Sequence, residues 1–545
     1  MRLVERRIGL LFALFLLLFG AATARATWIG TIKSGSLGAR AVQQQVEDVT
    51  LHASRGTILD RHGMELAVSE DAVTVSAYPY LIKDPARVSA QLAPLLGLPE
   101  DDLLKKLANR RSTFVYLRHR MDPERGHKVQ ELQIPGIETV IEPKRVYPQG
   151  YLASQVLGVV NDSNKGAAGL EYSQEDKLGG DDGERRLVKD ALGKPVSLVE
   201  TKRAKSGEDI KLTLDAAIQE RVEAVLGEVG QTYHPAGATA VVMDPRTGAI
   251  LALANWPRVD GNNPAGAPDY ATQDRAIQFN YEPGSTFKAF TVAGALEDRL
   301  IRPNTLLDVP AQIKVADRTI GEAHDEGNGP LTVSQILARS SNVGTVMIGL
   351  KLGDKRFDRW VRAFGFGSQT GVDLPGEQQG IVLDVKHYSG SSIGNMPIGQ
   401  GLSVTPIQMA SAYTAIANGG VRHRPYIVQG DRKPGVRVVS RRTADEVSHM
   451  LIGVLAAGGT AQEASVPGYT LAGKTGTAEK PENGTYSKTD FVASFIGYAP
   501  AKHPRLLVSV MVDEPRGDIY GGTVAAPAFE RIMEFALPYL KIPPE

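Results

Sequence analysis

The sequence predicts an α+β chain: an N-terminal apolar helix, a mixed segment of short strands and helices, and a C-terminal domain with a central antiparallel sheet flanked by helices. Three observations carry that prediction. Residues 8–24 are an apolar run behind an arginine-rich tip. Strand-like apolar runs stand at both ends of the C-terminal half, at 238–243 and 249–254 and again at 470–478, 491–498 and 506–512. Helical patterning fills the interval, so one sheet has to be assembled from distant segments. A length of 545 residues corresponds to several domains at about 150 residues each.

Taken in order, the first run follows Arg2, Arg6 and Arg7 and is interrupted only by Thr23. A charged tip and a hydrophobic stretch mark an exported or anchored chain. At 1.5 Å per residue the run spans about 26 Å, against a hydrocarbon core of roughly 30 Å. Trp28 at the outer interface completes the span. Ala22-Thr23-Ala24 also has the form of a leader-cleavage site, so a cleaved leader stays open beside an uncleaved anchor. The arginine excess before the span favours an inside N-terminus and an extracytoplasmic remainder. From 46 to 199 the pattern is mixed, with one clear helix at 101–109, and the charged run 200–209 reads as a boundary. Asp244-Pro-Arg-Thr-Gly248 places Pro and Gly where a tight reversal needs them. The last three strands are joined through Pro481–Asn483–Gly484 and Pro500–Pro504, and a helix at 524–537 closes the chain.

Composition excludes several functions. Lys+Arg and Asp+Glu are 61 each, so no global basic field exists for nucleic acid. The local cluster Arg110, Arg111, Arg118, His119 and Arg120 reads as a solvated face or a protein contact. With no cysteine, disulfides, thiolate catalysis, zinc fingers and iron–sulfur clusters are out. His324-Asp325-Glu326 lacks the helical spacing of a zinc motif and reads as a loop, and no metal site is expected. No histidine has the nucleophile-elbow context of a Ser–His–Asp triad.

Three short motifs carry chemistry. In Pro283-Gly284-Ser285-Thr286-Phe287-Lys288, Ser285 opens a helical run at 286–296 and shares a face with Lys288 at i+3. A serine hydroxyl is a weak nucleophile that needs a base, and a lysine destabilised by burial or a second cation can serve. The helix N-terminus offers free N–H groups to a developing oxyanion. Ser340-Ser341-Asn342 sits in a polar turn between helices at 332–339 and 343–352, and by itself reads as a cap or turn. Lys474-Thr475-Gly476-Thr477 lies on a strand, where Gly476 signals close approach of another backbone. Lys474 there can hold a carboxylate or act as the second cation for Lys288.

S-x-x-K, S-x-N and K-T-G in this order are the signature set of penicillin-interacting serine acyltransferases. The chain resembles the class B penicillin-binding proteins over nearly its whole length. Arg55-Gly56-Thr-Ile-Leu-Asp60-Arg61-His62-Gly63 resembles their R-G-x-I-x-D-R-x-G motif, with His62 in place of the usual Asn. Glu142-Pro-Lys-Arg145 and Gly169-Leu-Glu171 resemble the other motifs of the N-terminal pedestal. Residues 491–500 and Tyr520-Gly-Gly522 look like the FtsI type.

The resemblance implies an elongated mixed pedestal (dimerisation-type) domain at 28–205 after an anchor at 1–27, and a transpeptidase domain at 206–545. It implies peptidoglycan D,D-transpeptidation in the plasma membrane without a cofactor, with donor and acceptor stem peptides as substrates and β-lactams as inhibitors. Ser285 would be the nucleophile, Lys288 its base and Ser340 a proton carrier. Asn342, Lys474, Thr475, Gly476 and Thr477 would bind substrate, and the N–H groups of Ser285 and Thr477 would form the oxyanion hole. The SEDS-family glycan polymerase FtsW and other divisome proteins are the implied partners. Elongation and sporulation settings stay open, as do a β-lactamase, a bifunctional penicillin-binding protein and a non-catalytic β-lactam or muropeptide sensor.

Overall fold

The computed structural model describes residues 2–32, 46–189, 195–323, 329–482 and 484–545. Helix α1 (Arg2–Thr31) runs past the apolar stretch seen in the sequence. Among the described residues it is the one helix long and apolar enough to cross a membrane. Thr23 fits inside it because its hydroxyl donates to the Phe19 carbonyl at 2.9 Å, which leaves no bare polar group on an apolar surface.

The chain divides into two compact units that interleave in sequence. One comprises residues 1–54, 71–143 and 180–207; the other comprises 55–70, 144–179 and 208–545. The run 200–209 therefore contains a change of unit, although its first residues still belong to strand Pro195–Lys202. In the first unit, Val46–Leu51, Gly183–Lys189 and Pro195–Lys202 form an antiparallel three-stranded sheet. Helices Pro85–Leu96 and Glu100–Ala108 pack Leu92, Leu96, Leu103 and Leu107 into a core with Val75 and Leu117. The second helix starts with Glu100, Asp101 and Asp102 and ends with Lys105 and Lys106, the charge order that complements its dipole.

The larger unit is built on five strands. Helix α2 (Ala216–Tyr233) precedes β1 (Gly237–Met243) and β2 (Ile250–Trp256). Helices α3 (Lys288–Glu297), α4 (Asn342–Ala363) and α5 (Pro406–Ala417) follow. Then come β3 (Ala472–Glu482), β4 (Thr485–Ala499), β5 (Leu506–Asp513) and α6 (Ala526–Tyr539). The strand order is β2-β1-β5-β4-β3 with every neighbour antiparallel. β1 and β5 are buried along their whole length, so their sequences are continuously apolar rather than alternating. Helices α2, α5 and α6 cover them.

Two expectations change in detail. Pro481 still pairs with Tyr486 and Glu482 with Thr485, so both strands run further into the expected loop; Asn483 lies outside the described residues. The helix expected from 343 continues to Ala363, with a break at Gly353 where φ is +66°.

Behind the sheet, Asp274 caps the short helix Arg275–Gln278 and accepts from Asn255 Nδ2 at 3.0 Å. Its other carboxylate oxygen is buried without a partner among the described residues. Burial raises its pKa from the ordinary 3.8 to about 7. The folded state therefore holds a proton that the unfolded chain has lost between those two values. Stability from this group is present at low pH and lost as pH rises toward 7. The expected result is that the melting-temperature advantage of Asp274→Asn over the parent grows as pH rises from 4 to 7 and levels off above it. Thermal melts across that range check it.

The motif residues of the N-terminal half form two clusters in the larger unit. Glu171 is fully buried between two guanidinium groups, receiving Arg55 Nε at 2.9 Å and Arg145 Nε at 2.6 Å. Arg145 also donates to the Gly56 carbonyl at 2.9 Å, and a Cβ on Gly56 would strike the Glu208 carbonyl. Asp60 receives the backbone N–H groups of His62, Met64 and Ala216, which fixes the start of α2. Arg61 and His62 reach its cap residue Asp215 at 3.9 and 3.1 Å. Glu142 belongs to the other unit, where it accepts from Thr74 Oγ1 at 2.9 Å.

Candidate active site

The nucleophile candidate sits on a tight turn. Gly284–Phe287 is a 3-10 turn that feeds α3 at Lys288, so the helix proper starts later than the sequence pattern suggests. Gly284 has φ +54°, the left-handed region open to glycine without penalty. Ser285 is half-buried and lines a cleft of about 770 Å³ together with Ser340, Asn342, Thr475 and Thr477. Lys288 is fully buried.

Lys288 joins the first motif to the second. Its Nζ donates to the Ser340 carbonyl at 2.5 Å, to Asn342 Oδ1 at 2.6 Å and to Ser340 Oγ at 3.3 Å. Ser340 has φ +63°, which is costly for a non-glycine residue and marks a held conformation. Ser341 caps α4, its Oγ accepting the Gly344 N–H at 2.9 Å.

The turn is held by a carboxylate that the sequence analysis missed. Glu322 accepts from Ser341 Oγ at 2.6 Å, from Asn342 N at 2.6 Å and from Val343 N at 3.2 Å. The neighbouring Gly321 carbonyl accepts from Asn342 Nδ2 at 3.1 Å. A carboxylate at the first turn of α4 is well placed for its dipole and free N–H groups. No local spacing signals it, because the contact joins residues about twenty positions apart in the chain. Glu322→Ala is expected to slow acylation by penicillin up to about 100-fold through misplacement of Ser340 and Asn342. Glu322→Gln, which still accepts hydrogen bonds, should lose less. Second-order acylation rates of both variants check this.

The third motif lies on β3, the edge strand of the sheet. An edge strand keeps a row of N–H groups outside the ladder. Gly476 is where this edge meets the nucleophile turn: a Cβ there would lie 3.0 Å from the Pro283 carbonyl oxygen and 2.9 Å from Thr286 Cγ2. A Cβ there would also strike Ser494 Oγ on β4, so both the neighbouring strand and the Ser285 turn require the glycine. Thr475 and Thr477 face the cleft. Thr475 Oγ1 contacts Thr460 Oγ1 at 2.6 Å, and Thr477 Oγ1 accepts from Gly521 N at 3.0 Å. Lys474 is fully buried, its Nζ donating to Thr475. His324, Asp325 and Glu326 lie outside the described residues.

Comparison with known proteins finds matches along most of the chain. Residues 238–534 match the penicillin binding protein transpeptidase domain, and residues 50–212 match the penicillin-binding protein dimerisation domain. The chain is 34% identical over 545 residues to the probable peptidoglycan D,D-transpeptidase PenA of Neisseria meningitidis, covering 99% of this chain and 93% of that one. It is 31% identical over 553 residues to the peptidoglycan D,D-transpeptidase FtsI of Escherichia coli, with the same coverage of 99% and 93%. It is 33% identical over 567 residues to the stage V sporulation protein D of Bacillus subtilis, covering 97% and 86%. Among solved structures, penicillin binding protein 3 of Mycobacterium tuberculosis complexed with aztreonam superposes with a TM-score of 0.71 at 30% identity, covering 91% of this chain and 98% of that one.

Proposed function

The chain belongs to the class B penicillin-binding proteins of the FtsI type, serine-type peptidoglycan D,D-transpeptidases, and on that premise we propose the following division of labour among its residues. The acting part is residues 206–545, with 28–205 as pedestal and 1–27 as cytoplasmic tip and anchor. Ser285 Oγ attacks the carbonyl carbon of the donor D-Ala-D-Ala bond while Lys288, as the neutral amine, takes its proton. The N–H groups of Ser285 and Thr477 receive the oxyanion. Ser340 passes a proton to the departing D-alanine. Asn342 holds the peptide amide and Lys288, and Lys474, Thr475 and Thr477 hold the terminal carboxylate. An acceptor amine then takes the acyl group and makes the cross-link. The observation that supports this reading most is Lys288 Nζ bonded to both Ser340 and Asn342 beside the Ser285 cleft.

The proposed setting is the division septum, with the catalytic part on the extracytoplasmic side and the polymerase FtsW as membrane partner. Its support is the FtsI and PenA likeness and the arginine excess before the span. Depletion in the source cell is expected to give filaments; rounded cells would indicate elongation, and loss of spores alone a sporulation role. Turnover of a peptide thioester with transfer to D-amino acids separates the enzyme from a sensor that only binds.

A further inference from the structure

A second cavity, of about 340 Å³, lies in the larger unit and shares no residue with the catalytic cleft. It forms at one end of the sheet, where the turn between β1 and β2 and the residue before β5 meet the segment that follows α6. Leu251 and Ile542 give it a buried apolar wall. Three guanidinium groups stand around it. Arg246 closes onto Asp244 of its own turn, Nε and Nη2 donating at 3.0 and 2.8 Å. Arg61 faces Asp215 at 3.9 Å. Arg505 lines the cavity too, and its side chain makes no ion pair or hydrogen bond among the described residues. Tyr426 is an independent sign of a ligand. It lines the cavity at 8% exposed, and its hydroxyl has no hydrogen-bond partner among the described residues.

These groups define a ligand by elimination. Two carboxylates, Asp244 and Asp215, are set against three guanidinium groups. One positive charge is unmatched, so a monoanion balances the site and a phosphate dianion does not. A carboxylate offers two oxygens to a guanidinium in the two-pronged pair and keeps a lone pair for a phenol donor. A neutral apolar group would use the wall and leave Arg505 and the Tyr426 hydroxyl without a role. The volume stands near the lower end of small-molecule sites, which run from about 300 to 1,000 Å³, so the apolar part is one side chain in size. We propose that this cavity binds a carboxylate carried on a side-chain-sized apolar group, with Arg505 and Tyr426 holding the carboxylate and Leu251 and Ile542 the apolar part. Such a group occurs at the end of a polypeptide whose last residue is apolar, and in small free acids. The site is independent of the catalytic roles proposed above.

The test titrates the full chain in a non-ionic detergent with N-acetyl-phenylalanine and with its uncharged amide, N-acetyl-phenylalaninamide, read by ligand-detected NMR. The acid is expected to bind at least about tenfold tighter than the amide. R505Q should weaken the acid by at least about tenfold and Y426F by about threefold, with fluorescent-penicillin labelling unchanged in both, which shows them folded. 3-Phenylpropanoate, which keeps ring and carboxylate but lacks the amide, separates the two sources: equal binding assigns a free acid, and weaker binding a chain end. Equal binding of acid and amide by the parent, or acid binding untouched in both variants, overturns the proposal. So does loss of acid binding once penicillin has acylated Ser285, which would place the probe in the catalytic cleft.

Discussion

Ser285→Ala is expected to abolish the covalent penicillin adduct and to lower transpeptidation at least about 1,000-fold, with the melting temperature nearly unchanged. The hydroxyl is the sole proposed nucleophile, and its removal leaves only binding and oxyanion stabilisation. It is half-buried at the cleft and makes no hydrogen bond among the described residues, so little folding energy goes with it. Lys288 differs in this respect. It is fully buried and bonds Ser340 and Asn342, so Lys288→Ala should lose both activity and stability. Because nucleophile and base act as one unit, the double variant should be hardly less active than Ser285→Ala alone. Fluorescent-penicillin labelling after denaturation, with melts on the same samples, checks all three. A surviving adduct in Ser285→Ala would sink the nucleophile assignment.

Glu171→Ala is expected to be the most destabilising single change, at about 3–5 kcal/mol. Glu171 is 0% exposed, with Arg55 at 3% and Arg145 at 6%. One carboxylate serves both guanidinium groups, with contacts of 2.9 and 2.6 Å. Its loss leaves Arg145 without a charged partner in a dry site where one of its nitrogens already has no acceptor among the described residues. Arg55 keeps one charged partner, the partly exposed Glu175 at 2.7 Å, beside the Asn164 and Glu171 carbonyls. Glu171→Gln should fall between, since it retains shape and hydrogen bonding but not charge. Denaturant midpoints measure both, with an unchanged slope showing that stability rather than compactness moved.

The comparison of residue pattern with fold divides along contact distance. The three catalytic motifs were legible because each is local. Ser285 and Lys288 are one helical turn apart, Ser341 is a cap, and Gly476 is a glycine in a strand, the mark of a close approach. Strand runs were legible because β1, β2 and β5 are buried on both faces and therefore apolar throughout. Boundaries moved where local pattern and pairing compete: β3 and β4 extend through Pro481 because cross-strand bonds continue past it.

Residue types and their short-range spacing were thus legible in the sequence itself: a Ser-x-x-Lys pair, an amide turn, an edge-strand motif and an apolar N-terminal helix. Such features depend on the 3.6- and 2-residue periods of the backbone, which read directly from neighbouring letters. Only the tertiary structure decided that Glu322 holds the Ser340–Asn342 turn, that Glu142 pairs with Thr74, and that Arg318 and Glu479 line one cleft with Ser285. It also decided that residues 55–70 and 144–179 pack with the C-terminal unit. These are contacts between segments from about twenty to over two hundred residues apart, selected by burial and charge pairing once the chain has folded back, and no local period encodes them.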